Sequence, residues 1–259
     1  MKFGICTSVE KAADVKAAGW EYVEENVQGL LQGTVPDAQW QGKARVRPGV
    51  LPVPAANCLV PGNMKIVGPD VDREALQRYL GTVLQRSGQV GMQVLVFGSG
   101  AARNVPDGFD REQARQQIVD FLKDGVGAAK MAGVTLVAEP LNKHECNIIN
   151  TVAEAMEYVR AVDHPNFQCL VDSYHFWLED EPLENLKAAM PWIKHVHVAD
   201  KDGRVAPGLS GKADYVPFFR VLKQGGYDGL ISFEGAAMTD FKTQAPQALE
   251  HVRRAWDAV

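Results

Sequence analysis

The sequence predicts one domain, residues 1–259, of the α/β class: a single (β/α)8 barrel. Eight short β-rich runs alternate with longer helical patterns. Over 259 residues this averages about 32 per unit, the size of one strand-plus-helix repeat. Several runs are continuously apolar rather than alternating, as parallel strands covered by helices are. No GxGxxG follows the first run, so a doubly wound nucleotide-binding sheet lacks its signature.

In chain order, strands are expected at 2–6, 21–25, 49–57, 92–97, 134–138, 167–171, 193–198 and 229–233. Helical periodicity fills 9–18, 71–86 and 111–132, where Ala114, Ile118, Phe121, Leu122, Val126 and Ala129 recur at three-four spacing. Asp110 suits the start of that last helix and Gly133 its stop. Thr151 with Glu154 forms a capping-box pattern. Later helices are expected at 181–190, 214–224 and 243–257. The glycine cluster Gly98-Ser99-Gly100 reads as a flexible loop after the fourth strand.

Composition narrows the function classes. The chain is 46% hydrophobic and 23% charged, with a net charge of −5. Nucleic acid is therefore excluded as an expected partner, because phosphate backbones are held by basic faces. The four cysteines form no CxxC pair, which argues against a disulfide framework or a zinc ribbon. Cys6 and Cys169 read as small buried hydrophobes within strands. MKFGICTSVEKAAD has no signal-peptide core, and no apolar run reaches the ~20 residues of a membrane span. A soluble, cytoplasmic protein with no membrane partner is the expectation.

Four polar residues end the last four strands: Glu139, Asp172, His197 and Glu234. Their separations are 33, 25 and 37 residues (172−139, 197−172, 234−197). In a barrel these strand ends ring the active-site mouth. Glu24 or Glu25, Asn57 and Gly98 would ring it too. A single strand-end carboxylate can simply cap the next helix; four such residues in succession point to a divalent-metal site. Three hard oxygens and one nitrogen favour Mn2+, with Mg2+ or Co2+ tolerated.

Local sequence adds a family. The segments Glu139-Pro140-Leu141-Asn142-Lys143-His144-Glu145, Asp172-Ser173-Tyr174-His175, His195-Val196-His197 and Ser232-Phe233-Glu234-Gly235 resemble the xylose isomerase-like TIM-barrel family of sugar and sugar-phosphate isomerases and epimerases, and within it the D-tagatose/D-psicose 3-epimerase-like ketose epimerases. The resemblance covers most of residues 130–240. It implies that Glu139, Asp172, His197 and Glu234 hold one metal ion, and that Glu145, His175 and Arg204 contact substrate. It further implies a small sugar or polyol substrate and a homo-oligomer, dimer or tetramer. Trp177 is the aromatic best suited to stack on a sugar ring. His144 stands where the family often has an aromatic. Lys212 and Arg103 are candidates for a phosphate group.

Epimerisation beside a carbonyl needs a proton taken from one face and returned on the other. Glu139 and Glu234 are the expected acid/base pair, working through a cis-enediolate. The same pair could carry aldose–ketose isomerisation, and an inosose-dehydratase-like lyase would differ only in expelling a β-hydroxyl. Hydroxypyruvate isomerases usually have Gln where His197 stands. Endonuclease-IV-like enzymes need histidine ligands in the first half, where this chain has none before His144. A sugar-binding barrel without catalysis would have no need to keep Glu139, Glu145, His175 and Glu234 together.

Overall fold

The computed structural model describes residues 1–259 as a closed barrel of eight strands in sequential order. They are β1 (Lys2–Cys6), β2 (Tyr22–Asn26), β3 (Ala55–Asn57), β4 (Val94–Phe97), β5 (Thr135–Ala138), β6 (Phe167–Asp172), β7 (Ile193–Val198) and β8 (Leu230–Phe233). All pairings are parallel, and β8 closes on β1 in the register Lys2↔Leu230 to Ile5↔Phe233.

Two apolar layers hold the barrel. The larger core joins outward-facing strand residues such as Leu95, Leu136 and Val196 to the helices. A small inner cluster of Ala55, Val94, Val96, Val137 and Leu170 fills the interior. Higher in the barrel the interior turns polar, with Glu24, His195, His197 and Ser232 all fully buried. Buried charge persists only where it is paired, and that pairing builds the site described below.

Helix ends follow the expected chemistry. Asp110 accepts from Gln113 N at the start of the helix Arg111–Ala132, which stops at Gly133 with φ of 70°. Thr151 accepts from Glu154 N, and the Glu154 carboxylate reaches back to the amides of Ile149 and Asn150. The Thr151 half of the capping box forms, while the Glu154 carboxylate serves the two amides before Thr151 rather than that of Thr151 itself. The expected strand 49–57 shortens to Ala55–Asn57. Pro52 and Pro54 have no N–H to give a ladder, although their carbonyls still accept from Val23 N and Gln93 N. A helix not anticipated, Ser173–Leu178, follows β6 directly; six residues are too few to show a period. No helix is long and apolar enough to cross a membrane.

Candidate active site

Glu139, Asp172, His197 and Glu234 converge at the C-terminal mouth, their ligand atoms all within 4.8 Å of one another. Asp172 and His197 lie in register on β6 and β7. Glu139 and Glu234 directly follow β5 and β8 and are fixed by backbone bonds to Phe97 O and Val198 O. Asp172 reconciles capping with ligation: Oδ1 accepts from Tyr174 N at 2.8 Å, capping the helix, while Oδ2 is buried with no hydrogen-bond partner. His197 Nδ1 faces Glu139 Oε1 at 3.1 Å and Glu234 Oε2 at 3.4 Å.

Behind the quartet stands Glu24, which points into the barrel. Its Oε1 meets His197 Nε2 at 2.9 Å, and its Oε2 meets His195 Nε2 at 2.7 Å and Ser232 Oγ at 2.5 Å. Ser232 Oγ continues to Tyr22 Oη at 2.7 Å. A histidine held through one nitrogen by a carboxylate presents the other nitrogen in a fixed tautomer and orientation. The sequence placed Glu24 or Glu25 at the mouth without choosing between them, and the role of Glu24 in holding His197 was missed. Two histidines at i and i+2 on one buried strand face, wanting one shared acceptor, were the available signal.

The residues expected to contact substrate are also brought to this mouth. Arg204 Nη2 lies 2.7 Å from Glu234 Oε2, 3.6 Å from Asp172 Oδ2 and 3.4 Å from His175 Nε2, and Nη1 lies 3.4 Å from Glu145 Oε1. Its guanidinium sits over the Tyr174 ring at 4.9 Å. The Arg204 loop is tied by buried Asp200, which accepts from Gly208 N, Ser210 N, Ser210 Oγ and Tyr215 Oη. His175 Nδ1 faces two donors, Asn142 N at 3.2 Å and Asn142 Nδ2 at 2.8 Å. Nδ1 is therefore the acceptor, and Nε2 carries the hydrogen towards the cleft. Asn142 Nδ2 also donates to Glu145 Oε1 at 2.9 Å. Asn57 Nδ2 donates to Glu234 Oε1 at 2.5 Å. Asn142 was another role not anticipated, although it lies inside the quoted motif.

Three expectations need correction. Trp177 does not reach the cleft; its ring packs edge-on against Tyr215 and Phe218, at 5.1 and 6.1 Å. Arg103 is fully buried and spends its donors on the carbonyls of Phe97, Glu139 and Ile149. Lys212 is exposed and paired with Asp202. Neither cation faces a phosphate pocket. Arg103 instead pins the backbone of Glu139.

Two glycines make room for the site. A Cβ on Gly98 would strike the Glu139 carboxylate, and one on Gly235 would strike the Arg204 carbonyl. The open cleft above, about 480 Å³, is lined by Gln28, Cys58, Pro61, Glu139, Glu145 and Arg204 among others.

Electrostatics of the protein alone show strong mutual dependence. Burial pushes Asp172 up to about 7, against the lowering pull of Arg204 and His197. Burial and the Glu234 charge raise Glu139. For Glu234 burial acts upward, but His197 and Arg204 outweigh it and hold the carboxyl at about 2. Burial lowers His197, yet Glu24 and Glu234 raise it well above the usual imidazole range. Burial beside Arg204 depresses His175 to about 3, so that ring is neutral. The carboxylates that draw a proton to His197 would equally draw a divalent cation. The orphaned Asp172 Oδ2 and the hard donor set fit such an ion.

Over 132 residues the chain is 32% identical to 3-dehydro-D-guloside 4-epimerase of Escherichia coli (strain K12), covering 51% of this chain and 50% of that protein. Over 164 residues it is 28% identical to a Mus musculus protein provisionally named hydroxypyruvate isomerase, covering 60% and 58%. The chain thus spans about half the length of the curated relatives it matches. The crystal structure of D-allulose 3-epimerase from Methylomonas sp. in complex with D-allulose superposes with a TM-score of 0.84 at 21% identity, over 98% of this chain and 97% of that one. That likeness shows the fold. The profile of the xylose isomerase-like TIM barrel matches residues 11–255; with eight parallel strands closed around one polar mouth, the chain belongs to that family.

Proposed function

We propose that the protein is a metal-dependent sugar epimerase that moves a proton on the carbon beside a ketose carbonyl, with Glu139 and Glu234 as its acid/base pair. The convergence of Glu139, Asp172, His197 and Glu234 within 4.8 Å carries this reading. These four residues would hold one divalent ion, Mn2+ by preference. When bound, such an ion polarises the carbonyl and stabilises enediolate charge.

The chain's own groups do the rest. Glu139 and Glu234 issue from β5 and β8, three strands apart around the closed barrel. A planar sugar carbon held between them has one carboxyl on each face: one takes the proton and the other, protonated, returns one. Asn57 and Arg204 fix Glu234 through its two oxygens. The neutral His175 offers Nε2–H to a sugar oxygen. Glu145, oriented by Asn142, accepts from a hydroxyl. Arg204 spans Glu145 and Glu234 and so links substrate binding to the acid/base group.

A second reading is aldose–ketose isomerisation. Hydroxypyruvate isomerases usually have Gln where His197 stands, yet the chain is also 28% identical over 164 residues to the Mus musculus relative. One experiment separates the readings. Ketoses and keto-glycosides are incubated with Mn2+ in D2O and followed by NMR. Deuterium at C3 or C4 without C1–C2 exchange supports epimerisation, C1–C2 exchange supports isomerisation, and release of water supports the lyase. Absence of exchange with every sugar, or activity that survives EDTA, would overturn the metal-dependent enzyme reading.

A further inference from the structure

Cys6 ends β1 at the same mouth. Its Sγ, a ring nitrogen of His197 and an oxygen of Glu234 all lie within 4.8 Å of one another. The expectation of a buried hydrophobe fits Cys169 but not this residue, which is only partly buried. Cys146 and Cys169 direct their thiols at nearby carbonyls; Cys6 makes no such bond. A separate observation marks the same spot as ligand-seeking. Asp172 Oδ2 is unpartnered on a side chain 1% exposed, in a cluster that shares His197 and Glu234. Those two residues therefore belong to two overlapping donor sets, one of hard oxygens and one containing sulfur.

We propose that the site has a second coordination mode, in which a thiophilic divalent ion such as Zn2+ or Cd2+ recruits Cys6 alongside His197 and Glu234. The proposal rests on the metal-dependent reading above. Soft thiolate donors select Zn2+-like ions over Mn2+ or Mg2+. The three donor atoms already lie within 4.8 Å of one another, so small side-chain rotations would let them hold one such ion. On binding, the Cys6 S–H bond breaks, the proton leaves to solvent and the sulfur lone pair bonds the ion, with no redox change. His197 uses Nδ1, because Glu24 occupies Nε2.

The test compares wild type with Cys6→Ser and Cys6→Ala, starting from metal-free protein. Cd2+ is added and thiolate-to-metal charge-transfer absorption is read, and Zn2+ and Mn2+ affinities are measured by calorimetry. The wild type is expected to show the charge-transfer band and both variants to lack it. Zn2+ affinity should fall about tenfold or more in the variants, with Mn2+ affinity held within about twofold. No band in wild type, or the same ratio of Zn2+ to Mn2+ affinity in all three proteins, overturns the proposal while leaving the four-ligand site intact. Failure of wild type to bind Mn2+ at all overturns both readings together.

Discussion

Glu24→Gln isolates the group that aims His197 without touching substrate. The substitution keeps volume but replaces one carboxylate oxygen with an NH2. Native Glu24 serves His197, His195 and Ser232 with its two oxygens, at 2.9, 2.7 and 2.5 Å, and all four residues are fully buried. The single Gln oxygen can serve His197. Its NH2 then confronts His195 Nε2, which must become an acceptor. The His195 proton moves to Nδ1, an atom with no partner in this barrel. Losing a charge-assisted hydrogen bond costs about 1.5–3 kcal/mol; His197 keeps Glu139 and Glu234 as carboxylate neighbours. Outer-shell partners of metal-binding histidines carry about 10–100-fold in affinity, which is the same energy expressed as binding. Calorimetry with Mn2+ should show Kd raised by about 10–100-fold, and excess Mn2+ should restore most of kcat. Metal-free Tm should drop by about 5 °C. Mn2+ affinity within about twofold of wild type, with Tm unmoved, would refute the claim that Glu24 holds His197 in place.

Three further outcomes are expected. Glu139→Gln and Glu234→Gln should each lower turnover by about 10²–10⁴-fold, the usual share of a general acid or base, with circular dichroism unchanged; near-native rates in either variant sink the two-glutamate scheme. Gly98→Ala places a methyl against the Glu139 carboxylate, so kcat and Mn2+ affinity should both fall while Tm stays nearly constant; unaltered kinetics would show that Glu139 has another rotamer free for work. The neutral His175 gives a pH signature. Its folded pKa is about 3 against an ordinary 6.5, so between these values the unfolded chain binds the extra proton. Its stabilisation is complete above 6.5 and is lost as pH falls towards 3, at up to about 1.4 kcal/mol per pH unit. His175→Gln should flatten the acid limb of metal-free stability by up to that slope, and an identical slope in the variant would exclude a buried neutral ring.

The barrel was legible because strand and helix periods alternate through the whole chain, and because parallel strands leave continuous apolar runs. The four ligand candidates were legible for a related reason: a strand end is a fixed place on a barrel, so spacing alone set them on one rim. Contacts that cross the interior leave no such trace. Glu24 and His197 are 173 residues apart, and nothing in EYVEEN says which glutamate turns inward. Trp177 failed for a geometric reason. It follows His175 by two positions on a helix, about 200° around the axis, so when His175 faces the cleft Trp177 faces the helices behind. The β3 boundary failed because extended proline-rich backbone looks like a strand while lacking ladder donors. Arg103 is offered by the sequence as a phosphate contact, whereas in the fold it donates to the backbone carbonyls of Phe97 and Glu139.

All four metal-ligand candidates come from β5 to β8, while the carboxylate that orients their histidine comes from β2. A fragment carrying residues 130–259 would contain each of those four donors and still be unable to aim them, because the brace for His197 is in the other half of the gene. Half-barrel swaps between relatives must therefore match across the seam at Glu24, His195 and Ser232. A chimera that breaks this match would close into a barrel with the right inventory of donors and the wrong imidazole tautomer.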